Sequence, residues 1–456
     1  MEIAPELLAH HYTQAGLVAE SVSWWLRAGQ RALRASAYAE AIAHLTTGLE
    51  QLAKMPEDAT RAAQELELRL TIGPALMASR GWAAPEVEAC YDRARALCSE
   101  LGDTPQLAPV LYGLWSYRIV RAQHRAAYLL GQQVVALGDM VNSTDLQLEG
   151  HKAVGWSHFF HGQFARAREH LQIALLLYDE ERHGGHAFTF GDNPGTSAGA
   201  CLAEVLWLLG YPEQAFQRMA ETVAMLRRIT HPYSVAFGLD LAAFLSEYCG
   251  DAPAAEALAG EALMLSEKQE LAFIGAMSAI LRGWARAEQG DAAEGLRQMQ
   301  EGLRTQEATG AEVVKPYWYS LLAEVTFRVG ARSNALDLLD SAEAALQRTE
   351  ERYWEAEVHR LRGWFFEQES VDTAEAHYRR ALEVAGRQQA RSLELRAATG
   401  LARLWHSHER SADAFALLQP IYAWFTEGFD TRDLRAAAGV LDEVAPQMSR
   451  MPSGGT

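Results

Sequence analysis

Several groups of residues in this chain carry side-chain types that can do chemistry. Gly195-Thr-Ser-Ala-Gly199 matches the Gly-x-Ser-x-Gly elbow, in which a strained strand-to-helix turn exposes a nucleophilic serine. That elbow needs a buried strand before it, and the residues before Gly195 are a Gly/Pro loop, so Thr196 or Ser197 is read instead as a helix N-cap. His183 and His186, with Asp192 nearby, offer metal-ligand types. Zinc needs three or four ligands in fixed geometry, and three candidates in a Gly-rich segment do not supply one, so no metal is expected. His158 and His161 flank an aromatic pair, and Trp24 and Trp25 are adjacent; packing accounts for both. The cysteines at 90, 98, 201 and 249 form no CxxC pair or zinc-like spacing and read as reduced thiols.

The elements that position these residues follow a long period. Gly210, Gly250, Gly290 and Gly330 stand 40 residues apart, each at a gap between two helix-like stretches. Seven residues before each lies a small side chain: Ala203, Ala243, Gly283 and Ala323. Five after come Ala215, Ala255, Gly295 and Ala335, and twelve after come Thr222, Ala262, Gly302 and Ala342. Small residues at these spacings let two antiparallel helices approach closely, while Met219, Met299 and Leu339 fill the space between hairpins. The pattern resembles the tetratricopeptide repeat. Units at Gly29, Gly155 and Ala402 follow the same rule, and those at Gly73, Gly113 and Gly363 follow it with altered loops.

The expected fold is therefore all-α: a tetratricopeptide-like α-solenoid, wound as a right-handed superhelix of about ten helix-hairpin repeats of roughly 40 residues. It is read as one domain over 1–450, with a disordered tail at 451–456. The rhythm breaks once, where 179–195 holds extra residues rich in glycine, histidine and aromatics, an irregular insertion expected to fold back onto the solenoid.

Composition narrows the partners. A net charge of −18 argues against a phosphate-binding surface, so no nucleic acid is expected. No segment has the apolar length of a membrane helix, about 20 residues, and the N-terminus lacks a signal-peptide layout, so the expected location is cytoplasmic with no membrane partner.

A more specific resemblance rests on long strings. His183 through Gly195, then Trp207-Leu-Leu-Gly-Tyr-Pro-Glu-Gln-Ala215, Ile280-Leu-Arg-Gly-Trp-Ala-Arg-Ala-Glu-Gln-Gly290 and Pro420-Ile-Tyr-Ala-Trp-Phe-Thr-Glu-Gly-Phe-Asp430 are of this kind. So are Pro5-Glu-Leu-Leu-Ala-His-His-Tyr12 and Ser392-Leu-Glu-Leu-Arg-Ala-Ala-Thr399. Together they resemble the repeat region of bacterial multidomain proteins that join a class III adenylate/guanylate cyclase domain to a predicted signal-transduction ATPase. No Gly-x-x-x-x-Gly-Lys-Ser/Thr phosphate loop is present, so neither activity carries over and no enzyme function or cofactor is expected.

What the resemblance to tetratricopeptide arrays implies is a groove lined by the first helix of each pair. On this register Trp156, Glu204, Phe244, Trp284, Glu324, Trp364 and Arg403 point into it, and one turn earlier come Lys152, Asp240 and Arg360. This aromatic and acidic stripe, with His183, His186, Phe188, Phe190 and Asp192 of the insertion, is expected to hold a protein or peptide partner, or a small effector. The function implied is a non-catalytic module that regulates or scaffolds a signalling ATPase or cyclase, or the sensor portion of such an enzyme. The oligomeric state is not encoded in any pattern.

Overall fold

The computed structural model describes residues 4–102 and 106–448, and the tail expected at 451–456 lies outside them. Among the described residues every regular element is helical. A lead helix, Pro5–Gln14, is followed by ten antiparallel helix hairpins, from Val18–Arg34 with Tyr38–Leu52 to Arg391–Ser407 with Ser411–Tyr422, and Arg432–Met448 closes the array.

Most hairpins turn by one backbone device. The first helix ends in a residue with left-handed φ, and the amides around it return to the last helical carbonyls, as when Gly250 and Asp251 donate to Glu247 and Ser246. Gly210, Gly250, Gly290 and Gly330 hold that position at φ +91°, +72°, +104° and +85°, a conformation that costs glycine little. Where other hairpins lack glycine, Ser36, Ala122 and Glu409 adopt it at φ 56°, 54° and 62°. The turn between Glu355–Phe366 and Val371–Gln388 has no positive-φ residue, and Gly81, before Pro85–Leu101, takes φ 94° with an extended ψ of 147°.

The small residues work as their spacing implies. Leu45, Leu171 and Met299, on second helices, are buried against Gly29, Gly155 and Gly283 on the first. A methyl added at Gly155 would stand 2.7 Å from Leu171 Cγ. Tyr378 lies between Gly363 and Gly400, bridging two hairpins.

Long-range hydrogen bonds then fix the superhelix. The last carbonyls of a helix have no partner within it. Here the Val120 carbonyl accepts the amides of Glu312 and Val313 at 2.9 and 3.0 Å, and the Phe160 carbonyl accepts that of Arg352 at 2.7 Å. The Trp207 carbonyl takes Ser392 Oγ, and Arg121 reaches the Gly310 carbonyl 189 residues away. In all but the Arg121 bond, which runs the other way, the donors stand at or near the starts of first helices and the acceptors at the ends of first helices about five repeats earlier. Five repeats thus make one turn, and successive turns touch.

The insertion is more regular than its glycines imply. Glu180–His183 and Ala187–Phe190 form single helical turns joined by a 3-10 turn at Gly184–His186. Nor is it a helix cap at Thr196 or Ser197: Asn193 is the cap, its side chain accepting the Thr196 amide at 3.1 Å, with Pro194 in the first turn. Proline fits there because its missing N–H would be unpaired in any case.

Gly283→Ala tests the close approach, because the new methyl would lie 2.7 Å from the Gly295 carbonyl and force the helices apart. A loss of about 1–3 kcal/mol is expected in a denaturant melt. Gly260→Ala, where the methyl meets nothing within 4 Å, is expected to stabilise by about 0.5–1 kcal/mol.

Candidate functional site

The stripe read from the sequence lies inside the superhelix and, apart from Lys152 and Asp240, which are buried but line neither, divides between two chambers of opposite character. The chamber in the second half has a volume of about 520 Å³, and Trp284, Glu324, Arg360, Trp364 and Arg403 all line it. The one in the first half is smaller, about 90 Å³, and Trp156, Glu204, Phe244 and Asp192 line it.

The larger chamber is built on arginines. Arg360 and Arg396 share Glu357, at 2.9 and 3.3 Å, and Arg396 also holds Asp433 at 2.7 Å. Arg328 pairs with Glu324 and Glu288. Glu247, a further wall residue, receives the Tyr317 hydroxyl, and burial lifts its carboxyl to about 8. Burial also raises the Glu367 carboxyl, which accepts from Tyr378. Glu247 thus leans toward the neutral form at neutral pH, while Arg403 and Arg432 form no close ion pair with any described residue, their charges acting at longer range on Glu367 and Glu357. Buried Arg360 Nε also lacks an acceptor. The chamber's balance favours an anion.

The smaller chamber is aromatic, with Tyr112, Trp156, Tyr233, Phe237, Phe244 and Tyr248 among its walls. Trp156 Nε1 donates to Ser197 Oγ at 3.1 Å, which gives the serine of the Gly-x-Ser-x-Gly string, expected as a helix cap, a packing role. Glu204 is 2% exposed, receives the Tyr248 hydroxyl at 3.1 Å, and is driven by burial to about 8. Asp240, bonded to Ser278 Oγ at 2.9 Å, is fully buried and raised well above the carboxylate range for the same reason. The sequence reading treats both as charges on a groove wall; burial favours their neutral acid forms.

Trp284 is 2% exposed. Its truncation would open a cavity costing about 3–5 kcal/mol, so it is a poor probe of binding. Glu324 and Arg403 keep solvent contact and serve better.

The insertion does fold inward. Asp192 Oδ1 accepts from Lys152 Nζ at 2.8 Å and from Tyr112 at 3.2 Å, and Lys152 also lies 2.9 Å from Glu149. Burial works against the Lys152 charge, but the two carboxylates outweigh it and raise its pKa. His186 Nδ1 bonds Glu149 at 2.8 Å, while Phe190 packs edge-on to Tyr112 and Phe188 edge-on to His231.

Asp192 therefore takes no part in a histidine cluster. Asp145, His183 and His186 come together instead, their donor atoms within 4.8 Å. His183 Nδ1 accepts the Asp179 amide at 2.8 Å, so in the neutral ring Nε2 carries the proton and donates to Asp145 at 3.1 Å. A metal at Nε2 would have to displace that proton, and Arg182 already occupies Asp145 at 2.7 Å. The cluster reads as a hydrogen-bonded brace.

The chamber face extends one turn beyond the stripe. Glu357 and Arg396 continue the faces of Trp364–Arg360 and Arg403–Thr399 at helical spacing, and extending the stripe by three or four residues finds both.

No protein-family model matches the chain. An uncharacterized protein of Rhizobium meliloti (strain 1021) is 26% identical over 402 residues, covering 87% of this chain and 39% of the relative. The chain thus spans about two fifths of the length of the curated relative it matches. Among solved structures, the Rap conjugation gene regulator of plasmid pLS20 in complex with the Phr* peptide is 10% identical with a TM-score of 0.47, covering 95% of this chain and 98% of that one. The human IFIT1 dimer with m7Gppp-AAAA is 14% identical with a TM-score of 0.47, covering 94% and 91%.

Glu204 sets a pH dependence. Its folded value near 8 exceeds the ordinary one of 4.5, so its stabilising contribution is complete below about pH 4 and is lost as pH rises through about 8. Glu204→Gln is expected to flatten the fall in melting temperature between about pH 5 and 8 relative to the unaltered chain. Parallel slopes would show that the carboxyl is ionised in the folded state.

Proposed function

We propose that this chain is a non-catalytic binding module whose arginine-rich chamber receives an anionic group of a short peptide or small effector. The carrying observation is the convergence of Trp284, Glu324, Arg360, Trp364 and Arg403 on one chamber of about 520 Å³. The lining holds five arginines and five acids; Arg403 and Arg432, which form no close ion pair, are donors for a carboxylate or phosphate, Glu247 leans neutral, and the tryptophans give apolar contact area beside them. Closure of the superhelix turn on turn limits the ligand to something that enters a chamber, rather than a chain threaded along an open groove. Occupancy would tie helices from hairpins distant in sequence, and that is how binding would be felt by a linked domain. In this reading the module regulates a signalling ATPase or cyclase from a cytoplasmic location. Among the described residues no helix is long and apolar enough to cross a membrane.

A second reading, that the chain is the sensor portion of a larger cyclase or ATPase, draws support from the length of the Rhizobium relative, of which this chain covers 39%. A phosphate loop encoded in the same reading frame would favour it over a separate regulator.

Arg403 is exposed, so Arg403→Glu should leave the fold intact. In calorimetric titrations with short C-terminally amidated peptides ending in Asp-Trp or Lys-Trp, the acidic peptide is expected to bind better, with affinity falling as salt rises. Arg403→Glu should weaken it about tenfold, equivalent to about 1.4 kcal/mol. Equal binding of both peptides, or no change in the variant, would remove the proposal.

A further inference from the structure

The aromatic chamber lies apart from the arginine-rich one in its chemistry. Its ionisable lining consists of Asp192, Glu204 and tyrosines, with no Lys, Arg or His. Asp192 is already satisfied by buried Lys152 at 2.8 Å. Glu204 is not: Oε2 receives the Tyr248 hydroxyl, but Oε1 is buried without a partner. Two more wall groups share that condition, the Tyr353 hydroxyl and Trp82 Nε1. Buried polar atoms are almost always paired, so these mark a place where a polar ligand belongs: Glu204 Oε1 can face a cation, while Trp82 Nε1, which only donates, and the Tyr353 hydroxyl suit a neutral acceptor such as a hydroxyl on the same ligand.

The surrounding side chains choose its sign. Aromatic faces carry negative quadrupole density and attract cations, most of all alkylated ammonium groups that cost little to desolvate. An anion would meet no positive group on these walls. The groups facing Glu204 are Asp240, Tyr248, Tyr353 and Cys201, none of them basic. The volume of about 90 Å³ suits a headgroup rather than a drug-sized molecule.

We infer that this chamber is a second binding site, and that it takes a small alkylated ammonium cation seated among Trp156, Phe244 and Tyr248 with its charge against the Glu204 carboxyl. The carboxyl, neutral in the empty chamber, gives up its proton to solvent as the cation arrives. Binding therefore releases a proton and strengthens as pH rises toward 8.

The test compares choline with its uncharged carbon isostere, 3,3-dimethylbutanol, by titration calorimetry on the whole chain. Choline is expected to bind at least tenfold more tightly, with a heat that varies with the ionisation enthalpy of the buffer. Glu204→Gln should abolish both the preference and the buffer dependence, while Arg403→Glu in the other chamber leaves both unchanged. The site is thereby separable from the anion chamber, and either can fail alone. Equal binding of choline and the isostere, or no saturable binding of choline, would overturn the inference. Both results are read on the unaltered chain, so they stand even where the glutamine variant does not fold.

Discussion

The structure depends on the carbonyls left over at helix ends. A helix hairpin of this kind satisfies most of its backbone internally, but the last turn of each first helix leaves carbonyls that need donors. Val120, Phe160 and Trp207 find them on segments about five repeats later, at Glu312 and Val313, Arg352 and Ser392. The helix dipole adds to the match, since the carbonyl ends of one turn face the amide ends of the next. Once these bonds form, the solenoid is no longer a spring with an open groove. It becomes a stack of turns with a divided interior.

That division explains why one stripe of residues yields two chemistries. In the first half the insertion places Asp192 against buried Lys152 and Tyr112, and aromatic walls close around Glu204. Water is excluded, so the carboxyls of Glu204 and Asp240 favour their neutral forms. In the second half the interior stays wide, and Arg360, Arg396, Glu357 and Asp433 form a linked charge network that water can reach. Partly buried ion pairs of this kind contribute little net stability but hold geometry, which a binding chamber needs.

Much of this was legible in the sequence, and the limit has a physical cause. The hairpins, the glycines at their turns and the bulky side chain at Met299 follow from spacing, because each is decided within about 40 residues of chain. The chamber residues were legible as a face, and helical spacing carries that face on to Glu357 and Arg396. The number of repeats per turn was not legible. It arises from a small rotation at each hairpin interface, which no single residue encodes. The states of Glu204 and Asp240 were hidden for a related reason, since burial depends on packing around the closed interior. The cap at Asn193 was missed because Pro194 and Gly195 read as loop, although proline is at home in a first helical turn.

Hydrogen exchange at three loop amides tests the central claim, the stacking of turns, most directly. Glu312, Val313 and Arg352 donate to the preceding turn, at Val120 and Phe160. If turns are stacked, these amides exchange as slowly as those inside the helices, with protection lost only on global unfolding. Exchange at the rate of an unstructured loop would contradict it, and with it the two-chamber interior.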